Sequence, residues 1–128
     1  MILVDTSVWI DYFNGKRNIQ TNKLDELLLS ELVIIGDIIL AETLQGFRKD
    51  KDYNQAKEAL NYLNCYSISN KEFAIKSAEN FRYLRKKGIT IRKTIDVLIG
   101  TFCIESKIPL LHNDKDFMPL MELGLQVV

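Results

Sequence analysis

Apolar residues in this chain alternate between short unbroken runs and helical stripes. Residues 1–4, 32–36 and 110–111 are almost wholly apolar and too short for a helix, so they predict strands buried on both faces. Two weaker segments, 66–69 and 125–128, predict short strands as well. Between these runs the apolar spacing changes to three and four. A helix over 6–13 follows the first strand directly and closes at Asn14-Gly15, since glycine takes the left-handed conformation at a helix end without strain. Leu24, Leu27 and Leu28 share one face of a short helix over 22–29. A helix over 37–48 starts at Asp37, whose side chain can cap free backbone N–H groups. Residues 53–63 and 71–87 are amphipathic, the latter through Ala74, Ala78, Phe81 and Leu84, and Gly88 stops it. The helix over 94–106 is the most apolar, and 117–123 predicts a helical turn.

Strands alternating with helices predict an α/β fold: a three-layer sandwich with a mainly parallel central sheet and helices on both faces. In such sheets the functional cleft lies beyond the carboxyl ends of the strands. A length of 128 residues suits one domain spanning 1–128.

Composition narrows the function only a little. Hydrophobic residues make up 47% of the chain, enough for a core without disordered tracts. No apolar run is long enough to span a bilayer, and the chain enters its first strand without a basic leader, so a cytoplasmic protein is expected. Cys65 and Cys103 lie in apolar surroundings without metal-type spacing, which predicts reduced core thiols. With those two cysteines and one histidine, a zinc site is disfavoured. Net charge is zero, against a protein that coats nucleic acid by charge alone. The basic residues are clumped all the same, at Lys16-Arg17, Arg48-Lys49, Arg82, Arg85-Lys86-Lys87 and Arg92-Lys93. Such clumps are ordinarily solvated faces, but if the acids gather in one place the remaining surface suits local phosphate contact.

The acids do occupy unusual places. Asp5 ends the first strand, and Asp114 comes just after Ile108-Pro109-Leu110-Leu111. Glu42 and Asp96 interrupt apolar helical patterns, Ile38-Ile39-Leu40-Ala41 and Val97-Leu98-Ile99. Taken singly, Asp5 can be a helix cap, Glu42 a helix-edge carboxylate in water, and Asp114 and Asp116 turn formers. Asp96 is harder to dismiss, because only a narrow polar stripe runs through it and Gly100. Together the four acids sit at strand ends and buried helix flanks. Two carboxylates about 4 Å apart repel by roughly 4 kcal/mol at an effective dielectric of about 20. Converging acids therefore need a proton or a cation, and a hard divalent metal is the expected one.

Four segments, in order, carry a resemblance. Met1-Ile2-Leu3-Val4-Asp5-Thr6-Ser7 resembles the opening of the PIN-domain ribonucleases, a strand ending in Asp-Thr-Ser or Asp-Thr-Asn. Leu40-Ala41-Glu42, Thr94-Ile95-Asp96-Val97-Leu98-Ile99-Gly100 and Asp114-Lys115-Asp116-Phe117 resemble the second, third and fourth motifs. The likeness runs from residue 1 to about residue 120, and the length and single domain are similar to the VapC toxins of toxin–antitoxin pairs. One departure is His112, where many relatives carry Thr or Ser.

The resemblance implies a PIN-like sandwich and a divalent-metal-dependent endoribonuclease using Mg2+ or Mn2+. On that reading Asp5 and Asp96 are direct ligands, and Asp114 is a third ligand or holds a water on the ion. Glu42 orients or deprotonates the attacking water. Thr6 or Ser7 hydrogen-bonds a carboxylate or the scissile phosphate, and Asp116 supports the site or caps the following turn. Arg82, Arg85, Lys86, Arg92 and Lys93 are candidates for RNA contact. Implied partners are an RNA substrate, a VapB-like antitoxin and a second copy of the chain in a homodimer, or in a larger toxin–antitoxin assembly. Alternatives are a non-toxin PIN nuclease of RNA processing and a magnesium-dependent phosphohydrolase of another family. A haloacid-dehalogenase phosphatase needs a second Asp two residues after the first, where this chain has Ser7. A receiver-like domain requires a different order of motifs. A domain degraded to partner binding would be expected to have lost one of the four acids, and none is lost.

Overall fold

The structure is a computed structural model that describes residues 1–30 and 32–128. Its centre is a parallel sheet of β1 (Ile2–Val4), β2 (Val33–Gly36), β3 (Cys65–Tyr66) and β4 (Leu110–Leu111), in the order β3-β2-β1-β4. Leu3 pairs with Ile34 on one side and Leu110 on the other, so β1 is central. That position explains its composition: Leu3, Val4, Leu110 and Leu111 are fully buried, as strands covered on both faces must be. Beyond β4 a single parallel bridge joins Leu110 to Val127, and the strand expected over 125–128 is reduced to that contact.

Among the described residues six helices connect the strands: α1 (Thr6–Phe13), α2 (Ile19–Leu29), α3 (Asp37–Gln45), α4 (Asp50–Asn61), α5 (Lys71–Lys86) and α6 (Thr94–Ser106). A 3-10 helix, Lys115–Leu123, follows β4. The connections β1-α1-α2-β2 and β2-α3-α4-β3 step one way across the sheet, while β3-α5-α6-β4 returns over it. Right-handed crossovers then put the first four helices on one face and α5 and α6 on the other. The step direction reverses beside β1, and there the carboxyl ends of β1 and β4 open a crevice. Gly100 lets α6 meet the 3-10 helix closely, since a Cβ there would stand 2.3 Å from Leu120 Cδ1.

Several local expectations need correction. Helix α2 starts at Ile19 rather than Asn22, because Asn18 and Thr21 form a reciprocal capping box one turn earlier. Asp37 is not the cap of α3; Gly36 holds that position. The Asp37 carboxylate, at the first position of the helix, does accept the Ile38 N–H in its first turn, and it also accepts the backbone N–H groups of Ile68 and Ser69. Those donors are thus taken from a ladder, and the third strand is Cys65–Tyr66 rather than 66–69. Cys103 is a buried thiol as expected, but Cys65 on the sheet's edge strand is exposed, and both are free.

Candidate active site

Asp5 leaves β1 at the mouth of the crevice and caps α1. Its Oδ2 accepts the Ser7 N–H at 3.0 Å and the Ser7 hydroxyl at 2.7 Å. The helix-cap reading was therefore right as far as it goes, and the carboxylate is also buried, at 5% exposure. Burial pushes its pKa up, while the Ser7 hydrogen bonds oppose the shift. Thr6, beside it, donates its hydroxyl to Glu42 Oε1 at 2.8 Å and so ties α3 to the start of α1. Of the two hydroxyls expected to steady a carboxylate, both do so, each on a different acid.

Asp96 stands in the first turn of α6, with 6% of its surface exposed. Burial first, then the charges of Asp5, Asp114 and Asp116, raise its pKa to about 6 against the pull of Lys93. Its Oδ2 is buried with no hydrogen-bond partner. A buried oxygen of that kind is costly unless some group satisfies it.

Asp114 caps the 3-10 helix, its Oδ1 accepting the Asp116 N–H at 2.9 Å. Burial raises its pKa, but the Asp116 N–H and the Lys93 ammonium outweigh that and hold the carboxyl low. Carboxylate oxygens of Asp96, Asp114 and Asp116 all lie within 4.8 Å of one another. The tight group among the described residues is therefore not Asp5, Asp96 and Asp114. Asp116, expected only to support the site, is inside it, whereas Asp5 acts on Asp96 through its charge. Oxygen-only donors, an orphaned buried oxygen and mutual repulsion make the group a fit for a hard divalent cation.

His112 accepts the Asp114 N–H on Nδ1 at 3.2 Å and packs against the Phe117 ring at 5.0 Å between centroids. Burial lowers its pKa, so the ring is kept neutral as an acceptor. A Thr or Ser oxygen can also accept a backbone N–H. Asn113 was not singled out in the sequence. Its N–H donates to Ser7 Oγ at 3.1 Å and its amide reaches Asp11 at 3.4 Å, joining the β4 loop to α1.

The basic candidates divide into two sets. Arg82 and Arg85 line a groove of about 400 Å³ between α5 and α6, with Phe81, Thr94 and Val97, and none of the acids lines it. Lys86 is exposed at the end of α5. Lys93 and Arg92 lie on the acids themselves: Lys93 Nζ is 3.1 Å from Asp114, and Arg92 Nη2 is 3.3 Å from Asp116.

Residues 2–119 match the PIN domain. The chain belongs to the PIN-domain family. Ribonuclease VapC1 of Methanocaldococcus jannaschii is 31% identical over 127 residues, covering 98% of this PIN domain and 85% of that protein. Ribonuclease VapC11 of Mycobacterium tuberculosis is 29% identical over 119 residues, covering 91% and 89%. Among solved structures, VapBC2 from Rickettsia felis, bound to a DNA fragment from its promoter, superposes with a TM-score of 0.77 at 22% identity over 100% of this chain and 98% of that one. That likeness is one of fold, and it agrees with the sandwich expected from the hydrophobic pattern.

Proposed function

We propose that this PIN domain is a divalent-metal-dependent endoribonuclease of the VapC kind, the toxin of a toxin–antitoxin pair. The observation that carries the reading is the meeting of Asp96, Asp114 and Asp116, with one buried oxygen of Asp96 left without a hydrogen bond. The relatives named as ribonucleases supply the substrate class. Asp96 and Asp114 would hold the ion, Mg2+ or Mn2+, with Asp116 and Asp5 completing its surroundings. Such an ion supplies charge stabilisation to the phosphate under attack and acidifies a water near it. Asp5 is fixed by two bonds from Ser7, and its carboxyl acts on Asp96 through space. Glu42, oriented by Thr6, is the proposed base that positions and deprotonates the attacking water.

Arg82 and Arg85, in the groove between α5 and α6, and Lys86 at the end of α5 are the proposed contacts for RNA phosphates. Its proposed partners are a VapB-like antitoxin, as in the VapBC2 complex, and a second copy of the chain. Ile75 and Tyr83, 52% and 44% exposed on α5, are available for such a contact. No helix among the described residues is long and apolar enough to cross a membrane, and the proposed place of action is the cytoplasm.

The test is cleavage of cellular RNA beside hydrolysis of a small phosphate ester. EDTA should abolish RNA cleavage, Mn2+ or Mg2+ should restore it, and Ca2+ should restore it poorly. Turnover of the ester with RNA left intact would turn the reading to a phosphohydrolase of another kind.

A further inference from the structure

The acidic group is partly neutralised by the chain itself. Lys93 Nζ stands 3.1 Å from Asp114 Oδ2 and 3.6 Å from Asp96 Oδ2, touching two of the three carboxylates. Arg92 takes the third, Asp116. The Lys93 side chain nevertheless stays 56% exposed, while that of Asp96 is 8% exposed. The ammonium thus reaches in from solvent, and its contact with Asp96 leaves Oδ2 without a hydrogen bond. Among the described residues its ammonium has no other hydrogen bond or ion pair. Lys93 precedes α6 in extended backbone, its side chain caps no helix, and its carbonyl alone receives the first N–H groups of α6. The side chain can swing away without breaking a helical bond.

Those facts describe an occupant that can be exchanged. A monovalent ammonium meets carboxylates along three N–H directions, whereas a divalent ion draws in oxygens from all sides with twice the charge. We propose that Lys93 is the resident counter-ion of this site: its ammonium occupies the carboxylates when no divalent ion is bound and is displaced when one binds. The proposal rests on the metal site put forward above, though not on RNA being the substrate. Without metal, Lys93 offsets the repulsion among the acids; with metal, it becomes dispensable and its departure is part of the binding equilibrium. A lysine serving only as a structural prop would be needed equally in both states.

Lys93→Met keeps the length of the side chain and removes its charge. Thermal melts in EDTA and in saturating Mn2+, with calorimetric titration of Mn2+, separate the two roles; Lys51→Met, on α4, is the control for net charge. Lys93→Met should melt below wild type in EDTA and match it in Mn2+. It should also bind Mn2+ roughly tenfold more tightly, since the competitor is gone. An equal deficit in both melts, or an Mn2+ affinity unchanged from wild type, would overturn the proposal and leave the metal site standing. If neither protein binds Mn2+, the metal reading and the counter-ion role fall together. Mn2+ binding with the expected melts but no RNA cleavage would remove the nuclease reading alone.

Discussion

At the scale of the residue, Asp96 carries its charge at a cost. It is a carboxylate at the start of the most apolar helix, and burial raises its pKa from 3.8 to about 6. The sign of the linkage follows. A raised folded-state pKa gives stability that is present below the unfolded value and lost as pH rises through about 6, so ionised Asp96 weakens the metal-free fold. A bound divalent ion reverses this by requiring the charged form. Mn2+ affinity should therefore be flat above about pH 6.5 and fall by up to about tenfold per unit below about pH 6 as Asp96 takes up its proton. Calorimetry across that range, in two buffers of different ionisation enthalpy, would also count the proton released. Affinity independent of pH there would mean that the ion does not use Asp96. The sequence made this residue legible because an acid in an apolar stripe demands compensation. It placed Asp116 only in support of the site and Lys93 only as an RNA contact, not among the acids. An adjacent Arg-Lys pair looks like a solvated face, and an Asp two residues after another looks like a turn, until the fold folds α6 against the 3-10 helix.

At the scale of the element, the site depends on how closely α6 and the 3-10 helix pack. Gly100 is the contact, and Leu120 opposite it is fully buried. An added methyl group must push that side chain aside, an overpacking of about 1–3 kcal/mol that helix propensity offsets by up to about 1 kcal/mol. Gly100→Ala should lower the melting temperature by roughly 3–5 °C. It should also weaken Mn2+ binding, because Asp114 caps the displaced helix. A melt equal to wild type would show that Leu120 finds another rotamer. The elements that sequence reading placed well, such as β1, α1 and α6, have unbroken apolar runs or stripes. Those it misplaced are governed by side chains bonding to backbone: Asn18 starts α2 early, and Asp37 takes the N–H groups of Ile68 and Ser69 out of the sheet. Such bonds join residues whose contact only the fold creates, as with the 31 positions between Asp37 and Ile68.

At the scale of the whole molecule, alternation of strand and helix was enough to expect a parallel sandwich, but the strand order was not written in any local pattern. Only the reversal beside β1 brings β1 and β4 together, and with them Asp5 and the loop carrying Asp114. The crevice so formed is acidic on a chain of zero net charge. Lys93 already demonstrates that a basic side chain fits over the acids. An antitoxin tail should then inhibit by laying an Arg there, since the guanidinium fork matches a carboxylate in two contacts. Replacing that Arg with Ala should restore most RNA cleavage within a complex that remains assembled through apolar contacts, measured by activity beside size-exclusion chromatography. Full inhibition by the Ala tail would mean that the antitoxin acts away from the acids.

The central claim is that Asp96 would hold a divalent ion that RNA cleavage requires. Asp96→Asn keeps the shape of the side chain and removes the charge, and it relieves a buried repulsion instead of opening a cavity. The direct measurement is the rate of RNA cleavage by purified wild type and Asp96→Asn in Mn2+, with circular dichroism to verify that both are folded. The account predicts a folded variant whose cleavage rate falls by at least about a hundredfold, a loss of about 2.7 kcal/mol in transition-state stabilisation. An undiminished rate, with contaminating nuclease excluded by an EDTA-treated and repurified sample, would contradict it.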